Sequence, residues 1–223
     1  MSRRFEIRRE VALPATPEQV WRAIATPEGQ AAWFMPSEPP PDAQVESEPP
    51  HRLAITDGGT TAMEYIVDGR DDGTTVLRFV HSGMLSDDWG DEFEGMTAAG
   101  WDMYLFTLGQ YLRHFPDRSA VYAEAEAPAV PGAWDRILAA LGDPAEGDTV
   151  DATGLAGVVD LRSVHYLGVR TDDALVRFHE RSPIGLPVAV GHHAYSPGTD
   201  PATLSTAWAE WLTTTTQETH HDG

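Results

Sequence analysis

The 223-residue chain contains no cysteine, no lysine and no asparagine. Without cysteine there is no disulfide, no thiolate nucleophile and no cysteine metal site. Without lysine there is no Schiff base and no P-loop phosphate clamp. Positive charge is also scarce: 15 basic residues, all arginine, face 35 acids, for a formal net charge of -20 at pH 7. Residues 1–118 hold 10 arginines against 20 acids and residues 119–223 hold 5 against 15, so the deficit is shared evenly. Such surfaces repel nucleic-acid backbones and anionic lipid, and neither is an expected partner. No apolar run approaches the roughly 20 residues of a membrane span. The basic start (Arg3, Arg4, Arg8, Arg9) leads into alternation and not into a signal-peptide block. These features predict a soluble, cytoplasmic protein without membrane insertion, its acids a solvated surface.

Catalytic signatures are absent too. There is no G-x-S-x-G elbow, G-x-G-x-x-G turn, H-E-x-x-H pair or glycine-rich phosphate loop. No catalytic residue, metal ligand or cofactor is predicted.

What is present is patterned. RRFEIRREVAL (3–13) alternates Phe5, Ile7 and Val11 with charges, the period of a half-buried strand. After Pro14, Thr16 caps a helix whose first turn holds Pro17, Glu18 and Gln19, and Val20, Trp21, Ile24 and Ala25 form its apolar face. A second short helix, about 28–34, adds Trp33 and Phe34. This aromatic stretch reads as one wall of an apolar pocket. Residues 37–50 are too proline-rich for more than a loop with a brief edge strand. HRLAIT, TAMEYIVDG and TTVLRFVHSG then form an antiparallel meander with turns at Asp57-Gly58-Gly59 and Asp71-Asp72-Gly73. Leu77, Phe79 and His81 share one face of the last strand. A helix spans about 92–115 with the stripe Trp101, Tyr104, Leu105, Leu108 and Leu112, and Pro116 ends it.

The second half repeats this order. SAVYAEAEA (119–127) alternates, PGAWDRILAALG (131–142) carries Trp134, Ile137, Leu138 and Leu141, strand-like runs cover 158–170, 174–181 and 187–194, and residues 203–216 close with Leu204, Trp208, Trp211 and Leu212. A repeat of element order predicts two domains, 1–118 and 119–223. The rival arrangement is one enlarged domain.

PEQVWRAIATPEGQAAWF, GTTVLRFVHSG and GWDMYLFTLGQYL resemble, in this order, segments of the START-like (SRPBCC) superfamily, in its branch of heat-shock-protein-90 ATPase activator homologues. The resemblance covers about residues 3–115. It implies an α+β helix-grip fold, a curved antiparallel sheet around a long C-terminal helix, with a cavity that holds hydrophobic ligands in many members. The second half follows only in element order and is expected to be a divergent copy.

A sheet closing on one helix leaves a hollow wherever the inward side chains fail to fill it. The lining candidates, and so the expected ligand-binding residues, are Trp33, Met63, Tyr65, Phe79, His81, Trp101, Tyr104, Leu105 and Leu108. His81 is the polar residue among them that can bond a ligand or move a proton, with Glu64 and Asp102 as possible helpers. His165 faces His179 across a three-residue loop or Glu180 across a two-residue one, and two ligands alone make no metal site. Of His192 and His193 only one points inward. The acid pairs Asp87-Asp88 and Asp91-Glu92 read as solvated. The expected function is binding of a small hydrophobic or amphipathic molecule. An aromatase or cyclase using His81 with Tyr65 or Tyr104, and a chaperone-regulating module, are the alternatives.

Overall fold

The computed structural model describes residues 3–36, 41–58, 61–85, 91–152 and 154–217. Two compact units divide the chain, Met1–Ser119 and Ala120–Gly223.

In the first unit, strand β1 (Arg3–Leu13) turns Phe5, Ile7 and Leu13 into the core, as alternation requires. Helix α1 (Pro17–Ala25) begins at a capping box: the Thr16 hydroxyl accepts from the Gln19 amide and the Gln19 side chain accepts from the Thr16 amide. Its buried face is Val20, Ala23 and Ile24. Ala23 takes the place expected for Trp21, which is half-buried, because residues three and four apart stack on a helix.

The end of α1 sets the path of the next ten residues. Its last carbonyls have no intrahelical donor. Ala23 O accepts the Trp33 indole N–H at 2.9 Å, and Ile24 O accepts from Gln30 Nε2 at 2.8 Å. Thr26 closes α1 and caps helix α2 (Pro27–Ala31), accepting from the Gly29 amide at 3.0 Å. α2 lies so close to α1 that a Cβ on Gly29 would stand 2.0 Å from Arg22 O. The helix expected to reach residue 34 stops at Ala31, which leaves Trp33 free to fold back.

Strands β2 (Gln44–Glu48), β3 (Arg52–Thr56), β4 (Thr61–Gly69) and β5 (Thr75–Leu85) complete an antiparallel sheet in the order β1-β5-β4-β3-β2. β2 is the brief edge strand, and all its residues are exposed. The turn before β4 includes Gly59, which lies outside the described residues, as do Asp87 and Asp88. The turn before β5 places Gly73 at φ 80°, where a side chain would be strained. Helix α3 (Asp91–His114) comes next and packs along β1, burying Trp101, Met103, Leu105, Leu108 and Leu112. This is the helix-grip arrangement.

The second unit contains β6 (Val121–Glu126), α4 (Ala133–Ala140), β7 (Thr149–Ala152), β8 (Leu155–Arg162), β9 (Tyr166–Arg170), β10 (Ala174–His179), a 3-10 turn at Ser182–Ile184, β11 (Ala189–Ala194) and α5 (Pro201–Thr216). Its sheet runs β6-β11-β10-β9-β8-β7. As in the first unit, the opening strand pairs with the last, and the extra strand β7 lies at the far edge. The single run expected over 158–170 is two strands, β8 and β9, separated by a turn in which Ser163 and Tyr166 bond each other. β7 carries no sequence signal because four residues, TVDA, give no periodicity to detect. Trp208 and Leu212 of α5, with Ile137 and Leu138 of α4, close its core.

No described helix is long and apolar enough to cross a membrane.

Gly29→Ala is expected to cost about 2 kcal/mol, since the clash is with α1 backbone, which cannot move aside cheaply. Chemical denaturation checks this, and an unchanged midpoint would contradict the close packing of α2 on α1.

Candidate functional site

α3 packs along β1 and α1 packs on β4, so the inner face of the β2–β4 end of the sheet is left to the short segment after α1. That segment roofs it incompletely. A cavity of about 620 Å³ remains.

Its floor is set by register. Val45 of β2 stands opposite Ile55 of β3, and Ile55 opposite Met63 of β4; in the next row Leu53 is opposite Tyr65. All five line the cavity. The roof is Ile24, Ala25, Pro27, Gln30, Ala31, Trp33 and Phe34, and Trp101 forms the inner end toward α3. Met35 and Val45, 38% and 56% exposed, stand at its rim. No charged side chain is part of the lining among the described residues.

Of the nine residues expected to line the hollow, Trp33, Met63, Tyr65 and Trp101 do so. Phe79, Leu105 and Leu108 are fully packed in the core behind the cavity wall. Tyr104 lies beside the wall, 4.5 Å from the Phe34 ring. His81 continues the Val45–Ile55–Met63 row one strand further, opposite Met63 and Ile7. The roof residues other than Trp33, together with Leu53 and Ile55, are absent from the set expected from the sequence. Leu53 and Ile55 share one face of the HRLAIT strand, and the register that sets them opposite Tyr65 and Met63 depends on the length of the turn between the strands. Val45, a lone apolar residue in a polar strand, carries no such signal.

The indole groups at the cavity face it with carbon. Trp33 spends its N–H on Ala23 O, and Trp101 donates to His81 Nδ1 at 2.9 Å. An indole nitrogen only donates, so Nδ1 is the acceptor and the His81 proton stands on Nε2. Burial lowers the His81 pKa, which favours this neutral form. Phe5 meets the His81 ring edge-on at 5.0 Å, and Trp101 lies parallel to Phe34 with ring centres 5.5 Å apart. Glu64 and Asp102 are engaged elsewhere, Glu64 with Arg52 and Asp102 with Arg9. The lining's polar groups are the Gln30 amide and the Tyr65 hydroxyl. Burial pushes the Tyr65 phenol far above its ordinary range, so it stays protonated and can donate.

The second unit holds a parallel to the His81 bond: Trp208 of α5 donates to His192 Nδ1 of β11 at 3.0 Å. His192 is half-buried on the α5 side, and His193, on the opposite face as alternation requires, is buried and packs 4.9 Å from Tyr122. Between β9 and β10 the two-residue loop holds. Thr171 N bonds Ala174 O, and Glu180 N bonds His165 O at 2.8 Å, so His165 faces Glu180 and His179 faces Tyr166. Among the described residues no three His, Asp or Glu side chains converge as a metal site.

No protein-family model matches the chain, and no curated protein matches it. Among solved structures it is similar to Aha1 of Colwellia psychrerythraea, with 18% identity and a TM-score of 0.41 over 48% of this chain and 96% of that one. It is also similar to CalU16 of Micromonospora echinospora (20%, 0.37, 50% and 86%). A third, DynU16, described as a protein in the dynemicin biosynthetic locus, aligns over 95% of both chains at 17% identity and a TM-score of 0.41.

Two half-buried histidines of the second unit, His179 and His192, make its stability depend on pH. Burial lowers His192 to about 4 and His179 to about 3, against 6.5 for the free side chain. The unfolded chain therefore takes up these protons first as pH falls. The contribution of these two histidines is full above about pH 6.5 and is lost progressively as pH falls toward about 4 for His192 and about 3 for His179. Denaturant midpoints that stay level from pH 7 to about 4.5 would contradict this.

Proposed function

We propose that the first unit binds a small, uncharged hydrophobic or amphipathic molecule in the cavity between its sheet and the α1–α2 segment. The observation that carries this reading is an apolar hollow of about 620 Å³ whose lining includes no charged side chain among the described residues. Ionic guests would leave water without a compensating partner there, whereas apolar surface gains on entry. Gln30 and Tyr65 supply neutral hydrogen bonds, which suit a carbonyl or hydroxyl on such a guest.

Binding is favoured over catalysis by the state of His81. Its Nδ1 lone pair is committed to Trp101, and the carboxylates that could have assisted it are paired with arginines. A general base needs that lone pair free.

The second unit reads as a divergent copy of the first. Support comes from the strand order, with opening strand against last, and from the tryptophan-to-histidine bond that each closing helix makes.

Nile red, a neutral planar dye, tests the binding reading. The protein is expected to bind it with enhanced emission, and Ile55→Trp, which fills the cavity floor, is expected to weaken uptake at least tenfold while the fold persists. A wild-type protein that takes up neither the dye nor any apolar compound in native mass spectrometry would overturn the reading.

A further inference from the structure

We propose that His81 is the positioning residue of the cavity: by accepting the Trp101 N–H it fixes the indole plane that forms the cavity's inner end, and so determines how well a flat guest fits. This role rests on the binding reading above, and His81 exerts it through Trp101 and not through contact with the ligand.

Trp101 projects from α3 into a place where several orientations would bury its rings. Four rings surround it: Phe34 lies parallel at 5.5 Å, Phe79 is tilted at 4.1 Å, and His81 and Tyr104 stand edge-on at 5.7 and 6.3 Å. Ring contacts alone restrain rotation weakly, since tilted and offset geometries differ little in energy. The hydrogen bond is the directional restraint. Trp101 is only 7% exposed, and a rotated indole would leave its N–H buried without an acceptor. His81 is itself held, on β5 between Ile7 of β1 and Met63 of β4 and against the Phe5 edge. The acceptor is therefore anchored on a strand paired on both sides, and the plane of Trp101 is referred to the sheet and not to the side chains of the roof. Phe34, stacked on that plane, takes its orientation from it and carries the constraint across the cavity's roof.

The second unit contains the same bond outside the apolar cavity, at a histidine that lines a separate hollow of about 390 Å³ together with Asp172 and Asp173. Trp208 donates to His192 inside a packed cluster with Phe178 and Leu212. That pair separates the contribution of such a bond to stability from its contribution to a binding site.

The test measures Nile red affinity and the exchange protection of the Trp101 indole N–H by NMR in wild type, His81→Leu, His81→Asn and His192→Leu. Asparagine places a carbonyl oxygen where Nδ1 stood, whereas leucine keeps bulk and removes the acceptor. His81→Leu is expected to lose indole protection and bind about tenfold more weakly. His81→Asn is expected to keep both, and His192→Leu is expected to lower stability while leaving dye affinity unchanged. Equal affinity in wild type and His81→Leu sinks the role of His81 and leaves the binding reading standing. If the leucine variant does not fold, a folded His81→Asn protein with lost affinity overturns the proposal. No uptake by wild type sinks the binding reading itself.

Discussion

A buried indole N–H must meet an acceptor, and this requirement organises the protein more than any other polar contact. Three of its seven tryptophans meet it in ways that fix the architecture. Trp33 satisfies it on a carbonyl that α1 could not use internally, and this bond folds the chain back over the sheet. Trp101 and Trp208 satisfy it on histidines of the last strand of each sheet, which seats each closing helix. In all three cases two groups that would each be costly alone in the interior cancel, leaving carbon surface to do the packing.

The hollow arises from where those anchors stand. With α3 seated along β1 and the roof tied to the end of α1, the roof spans β2 and β3 without packing down on them. The inner side chains there, Val45, Leu53 and Ile55, are aliphatic and of moderate size, and they do not close the gap. A larger residue on either strand would. The cavity is thus a consequence of helix placement combined with modest side-chain volume.

Much of the fold was legible. The Thr16 cap, the 3–13 alternation and the turns at Asp57 and Asp71 mark elements with direct physical causes, and the structure places strands and helices there. What escaped had no periodic signature: β7 is four residues long, and β8 and β9 merge in sequence because the turn between them, Ser163 to His165, contains no glycine or proline. At the site, the aromatic stretch near residue 30 was readable as a wall, but the wall's detailed membership was not. Trp21 and Trp33 look alike in sequence. Only the second is buried, with its N–H on a carbonyl at the end of α1. The same limit applied to His81, whose face alternation gives but whose commitment to Trp101 depends on a helix 20 residues further on.

The uncovered edge of the first sheet bears on more than ligand entry. Among the described residues no strand pairs with the outer side of β2, which is a template on which a second copy could add a strand. Glu46 and Glu48 lie along it, gathered toward Arg52 of β3. Their like charge on any approaching copy opposes that growth at the strand that also carries Val45 of the cavity's rim. In the second unit β7 covers the corresponding position.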